Sequence, residues 1–187
     1  YLYKSFQDQH DMGYSADLGM YLSYKIHKII SVDASILNGE GYKKVAADNI
    51  MKYTAGVTLK PLEGVTLRTY YDELGNSVKQ RTIAFFGAYQ YENLTFGAEY
   101  NQQLNHKNIK DSDLKGMSFF GSYKTSFARF FARFDQLSSK DNWNEMSKKN
   151  ADGSAIIAGA EFFPVKGLKI SPNYQGWTPK VKGADPT

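Results

Sequence analysis

Residues 114–137 read LKGMSFFGSYKTSFARFFARFDQL, and this stretch decides the fold. Every second residue from Met117 (Met117, Phe119, Gly121, Tyr123) forms one set, and Gly116, Ser118, Phe120, Ser122 and Lys124 form the other. After a Thr125-Ser126-Phe127 turn, Ala128, Phe130, Ala132 and Phe134 separate in the same way from Arg129, Phe131, Arg133 and Asp135. A period of two means extended strand, with one apolar and one mostly small or polar face. Runs of about ten residues with aromatics near their ends have the length that a tilted strand needs to cross a bilayer. Strands of soluble hairpins are usually about half as long.

The same pattern recurs outward in both directions. Leu18, Met20, Leu22 and Tyr24 alternate with polar neighbours, the chain turns near Ile26 to Lys28, and Ile30 to Ile36 returns. Met51 to Leu59, Val65 to Tyr71, Ile83 to Tyr89, Phe96 to Tyr100, Ile156 to Phe162 and Leu168 to Trp177 alternate likewise. Tyr1 to Phe6 reads as the end of a strand, followed by a polar loop from Gln7 to Ser15. About eleven segments result, and the connections go long, short, long, short. Long connections are 38–49, 73–79, 105–113 and 138–152; short ones include Pro61 to Gly64, Tyr91 to Asn93 and Pro164 to Gly167. A transmembrane barrel has this order because each hairpin enters and leaves through the same face, whereas Greek-key sandwiches mix connection lengths. The predicted class is all-β, an antiparallel up-and-down transmembrane β-barrel, spanning residues 1–187 as one incomplete barrel segment of about eleven strands. An odd count and a polar tail from Thr178 to Thr187 place further strands before Tyr1 and at least one after Thr187, because an open sheet edge cannot lie in lipid.

Composition agrees. The chain has 187 residues, no cysteine, 14 Tyr, 12 Phe, 2 Trp and a net charge of +4. No apolar run is long enough for a membrane helix, and a mean hydropathy of −0.50 is compatible with a barrel because its strands alternate. The charges are interspersed, without the basic run of a nucleic-acid surface.

With the apolar face toward lipid, Lys52, Arg68, Asp72, Glu99, Arg129, Arg133, Asp135, Glu161 and Lys169 fall on the lumen face as expected pore-lining residues. Arg129 and Arg133, bracketing Phe131, are best suited to anionic solute groups. Tyr24, Tyr89, Tyr100, Tyr123, Tyr174 and Trp177 are the expected aromatic belt. His10, His27 and His106 make no metal spacing. Asp111 with Asp113, or Asp48 with Asn49, lacks the glycine-spaced ligand series of a calcium loop. No nucleophile motif or phosphate loop is present, so neither enzyme activity nor a cofactor is expected.

At Asn38-Gly39-Glu40-Gly41-Tyr42, Pro61 to Leu67, Asp152 to Gly159 and above all Gly167-Leu168-Lys169-Ile170-Ser171-Pro172-Asn173-Tyr174-Gln175-Gly176-Trp177, the chain resembles outer-membrane porins of Bacteroidota, a family similar to phosphate-selective porins. The resemblance covers nearly the whole length and implies the C-terminal part of a larger barrel, with assembly as a homotrimer or with other outer-membrane proteins as the expected partnerships. It also implies an outer-membrane location, contact with lipid, and passive passage of small polar solutes. A structural or docking barrel without conduction is the alternative function.

Overall fold

The computed structural model describes residues 4–14, 16–41, 49–140 and 152–180. The strand expected at Tyr1 to Tyr3, Tyr42, Asp48, most of the 138–152 loop and the end of the tail lie outside the described residues. The strands are β1 (Gly19–His27), β2 (Ile30–Leu37), β3 (Lys52–Leu59), β4 (Val65–Leu74), β5 (Gln80–Tyr91), β6 (Leu94–Leu104), β7 (Leu114–Lys124), β8 (Ala128–Ser139), β9 (Gly153–Val165), β10 (Leu168–Ile170) and β11 (Asn173–Pro179). Each pairs antiparallel with the next from β1 to β10, and β11 also pairs with β9, giving one meander sheet.

The count of eleven is reached by a different route from the one expected. Residues 1–6 supply no described strand, and Phe6 opens a short helix, α1 (Phe6–Gln9), instead. The last strand is interrupted, because β10 and β11 share one register on β9: Ile170 faces Phe162 and Asn173 faces Gly159. Pro172 sits at the break and keeps only its carbonyl bond, from Ala160 N at 3.2 Å. Residues 172 and 160 form a hydrogen-bonded pair, and Pro172, which has no N–H, cannot return a bond to the Ala160 carbonyl. The ladder is interrupted there, a loss tolerated in a strand with no described partner on its other side. Two turns also shift. Extended backbone continues through Pro164 to Val165, and β1 reaches His27 with an irregularity between Lys25 and His27.

Registers preserve the predicted phase. In the 114–137 hairpin Phe119 faces Phe134 and Tyr123 faces Phe130, while Ser118 faces Asp135 and Lys124 faces Arg129. The outer face is exposed and apolar, carrying Phe85, Phe96, Phe119, Phe130 and Ile156 among others. On β5 that band runs from Ile83 to Tyr91, roughly 26 Å along the strand at about 3.3 Å per residue, or about 20 Å after a barrel's tilt. Such a width fits the roughly 25 Å apolar band of an outer-membrane barrel.

Segment 4–14 departs most from expectation, for it lies on the inner face rather than in a solvated loop. Phe6, His10 and Met12 are each at most 2% exposed. Phe6 and Met12 join Leu114 and Leu137 in a buried cluster against which Trp177 packs. Ser5 caps α1 by accepting a bond from Asp8 N at 3.3 Å. Phe6 and His10 stand four residues apart and therefore share a helical face, with ring centroids 4.4 Å apart. Gly116 makes the seat, because a Cβ there would overlap the Phe6 ring.

Candidate functional site

Charged residues of the inner face are organised as ion pairs, between strands or, for Arg133 and Asp135, within one. Lys52 Nζ lies 2.7 Å from Asp72 Oδ2, with both side chains buried. Arg68 on β4 reaches over β3 to fork onto Asp33 of β2, Nη1 to Oδ2 at 2.6 Å and Nη2 to Oδ1 at 2.8 Å, and also donates to Thr58 Oγ1 at 2.9 Å. Gly56 opens this path, since a Cβ would sit 2.5 Å from Arg68 Nη2 and 2.8 Å from Asp33 Oδ2. A glycine inside a strand often marks such a close approach.

A second group ties segment 4–14 to the wall. Arg133 forks onto Asp135 with two bonds of 2.7 Å, and its remaining Nη1 donates to the Lys4 carbonyl. Asp135 Oδ2 also accepts a bond from His10 Nε2 at 3.0 Å. Gln7 donates to Asn101 Oδ1 at 2.9 Å, and Asn101 in turn donates to Glu99 at 2.9 Å. Gln103 Nε2 donates to the Met12 carbonyl and to Thr82 Oγ1, so its oxygen is left to face His106 Nδ1, which must carry the proton it donates. Outside the spanning strands, His106 is pushed down to about 4, first by burial and then by the charge of Lys107. Asp152, beside Ser139, is pushed up by burial.

Near the short turns the pairing is looser. Glu161 lies between Arg129 at 3.5 Å and Lys169 at 3.6 Å. Neither contact is a hydrogen bond, and the Arg129 guanidinium has no hydrogen-bond partner among the described residues.

All nine expected pore-lining residues therefore share the inner face, but they do not act alike. Arg133 and Arg129, expected to work together, are separated by environment: Arg133 is 7% exposed and committed to Asp135 and Lys4, whereas the Arg129 side chain is 31% exposed. Tyr24, Tyr89, Tyr100, Tyr123 and Tyr174 are exposed on the outer face. Trp177 belongs elsewhere. It faces Ala155 and packs on the Phe6 cluster, with its ring 6.0 Å from His10, so it is an inner-face residue and not part of the belt. Its odd spacing from Tyr174 already forbids a shared face in one strand. Asp33, Gly56, His10 and Gln103 are the residues that sequence reasoning missed. Asp33 and Gly56 were legible as an inward-phase carboxylate and a strand glycine, while His10 and Gln103 acquire roles only through contacts more than 90 residues distant.

Among the described residues no group of His, Asp or Glu is arranged to hold a metal ion. Asp111 pairs with Lys140 at 3.2 Å and Asp113 accepts from Asn105 N at 3.1 Å, so both carboxylates serve the loop. No helix is long and apolar enough to cross a membrane, which says nothing against crossing by strands.

No family model and no curated protein sequence matches the chain. A solved porin structure does share its fold, with a TM-score of 0.65 at 11% identity over 84% of this chain. The match covers 55% of that porin, so this chain spans about half the length of the porin it resembles. At such identity the likeness shows a porin-type β-barrel fold and carries no residue roles.

Proposed function

We propose that this chain is part of the wall of an outer-membrane porin that passes small polar solutes or ions passively along the inner face. The observation that carries the reading is the division of one meander sheet into an exposed apolar outer face and an inner face of paired charges. Lipid is the solvent suited to the first, and water to the second. Hydrated solutes move past fixed charges of both signs, so the wall supplies a transverse field without a step of turnover. Segment 4–14, held to β6, β7 and β8, takes up part of the inner space and sets the width left to solutes.

The outer edges of β1 and of β10 with β11 have no strand partner among the described residues. Unpaired backbone in hydrocarbon costs several kcal/mol for each group. We therefore place this sheet within a larger barrel whose other strands cover both edges, in keeping with the 55% coverage of the matched porin. The resemblance of Asn38 to Tyr42 and of Gly167 to Trp177 to porins of Bacteroidota supports that group as the proposed origin.

A docking barrel is the rival, favoured by the in-folded segment. Single-channel recording on the full-length protein in planar bilayers separates the two. Stepwise ohmic channels are expected. Their absence, from protein that migrates on gels as a heat-modifiable barrel, would replace the porin reading with the docking one.

A further inference from the structure

The inner face is mostly polar, yet Phe120 and Phe131 point the same way as Ser118 and Arg133, and the wall makes room for one of them. Gly97 lies under the Phe120 ring, where a Cβ would fall 2.6 Å from Phe120 Cζ, and this opening lets Phe120 stack on Phe86 from two strands away, centroids 6.0 Å apart. Beside these rings, toward the short turns, is a recess of about 290 Å³ lined by Phe120, Phe131, Arg129, Ser122, Gln90 and Asn93, with others. That volume is at the lower end of small-molecule sites, which begin near ~300 Å³. Its chemistry is uneven in a useful way. Two phenyl faces offer a flat apolar surface, two amides offer hydrogen bonds, and Arg129 offers a guanidinium whose one ion-pair partner among the described residues, Glu161, stands at 3.5 Å without a hydrogen bond.

We propose that this recess binds a small single-ring aromatic carboxylate, its ring against Phe120 and Phe131 and its carboxylate on Arg129. The proposal deepens the porin reading and rests on it. A guanidinium fork matches a carboxylate with two parallel bonds, and partial withdrawal from water strengthens them. A ring edge or face on phenyl groups adds the offset or T-shaped contact that aromatic pairs prefer. Inorganic anions gain only the first of these, and neutral aromatics only the second. Arg133 also lines the recess, but its fork is already engaged by the Asp135 carboxylate and a third N–H by the Lys4 carbonyl, which makes Arg129 the better partner for an incoming carboxylate.

Benzoate and acetate carry the same charge and differ by the ring, so they form the test. On the full-length protein in planar bilayers, benzoate is expected to reduce chloride current with a half-blocking concentration about tenfold below that of acetate. Saturation-transfer NMR on the detergent-solubilised protein should show benzoate ring signals that Arg129→Gln weakens severalfold and Phe131→Ala abolishes. Gel heat-modifiability verifies that each variant folds. Equal block by benzoate and acetate, or ring signals unchanged in both variants, overturns the site. A protein that gives no channels yet transfers saturation to benzoate would overturn the porin reading alone and leave a binding recess in a closed barrel.

Discussion

Gly56 shows how one missing side chain organises the wall. Arg68 can lie across β3 only because nothing projects from that position, and its fork on Asp33 then links β2 to β4. Valine has the higher strand propensity, by up to about 1 kcal/mol. Gly56→Val is nevertheless expected to destabilise the barrel by about 1–2 kcal/mol in urea unfolding from lipid vesicles, a figure reduced from that of a buried pair because Arg68 is one-third exposed. A Gly56→Val protein as stable as the parent would mean that the guanidinium has another path. His106 makes a second residue-scale case. Its folded pKa, about 4, lies below the ordinary 6.5, so the unfolded chain binds more protons between those values. Its contribution to stability is whole above pH 6.5 and falls as pH drops toward 4. Protection factors in the 105–113 loop, which are corrected for the intrinsic pH dependence of exchange, should therefore fall over that window, while His106→Asn should flatten the dependence there.

Among the elements, α1 is the one docked on the inner face, and under the proposed function its docking limits the width left to solutes. Its four residues are far too few for a helix that is stable alone. Phe6 on Gly116, His10 on Asp135 and the Lys4 carbonyl on Arg133 hold it. Phe6→Ala removes a fully buried ring, a change worth roughly 3–5 kcal/mol in a rigid core. Segment 4–14 is expected to lose its amide protection while the strands keep theirs, and channel conductance is expected to rise. Gly116→Val should do the same from the wall side. Protection that survives both changes would make the polar contacts the anchor. Arg133→Glu would set two carboxylates side by side and also undock the segment, so a selectivity change in that variant would report a widened path as well as an altered charge.

For the molecule as a whole, the test is the depth of the apolar band. On β7 the outward series is Lys115, Met117, Phe119, Gly121 and Tyr123, which puts Phe119 at its middle. Phe130 pairs with Tyr123 beside the short turn, so it lies near the edge of the band. An outward arginine costs roughly 2–4 kcal/mol at mid-bilayer and about 0–1 near the interface. Phe119→Arg should sharply reduce the folded fraction in vesicles, and Phe130→Arg should lower it little. Equal effects would contradict a single flat band and the orientation of the sheet in lipid.

Strand phase and the division of residues between faces were legible in the sequence, because alternation is local: each residue's face follows from its neighbours two positions away. From that period alone the nine charged positions could be assigned to one side, and even the misplacement of Trp177 in the belt contradicted its spacing from Tyr174. Tertiary structure decided the rest. No local rule sends Arg68 to a carboxylate two strands away, distinguishes Arg133 from Arg129, or folds residues 4–14 inward, since partners such as Asp135 for His10 are 125 residues away in the chain. A strand's pattern records which solvent each face meets, whereas which charge meets which depends on register, shear and one glycine's empty space.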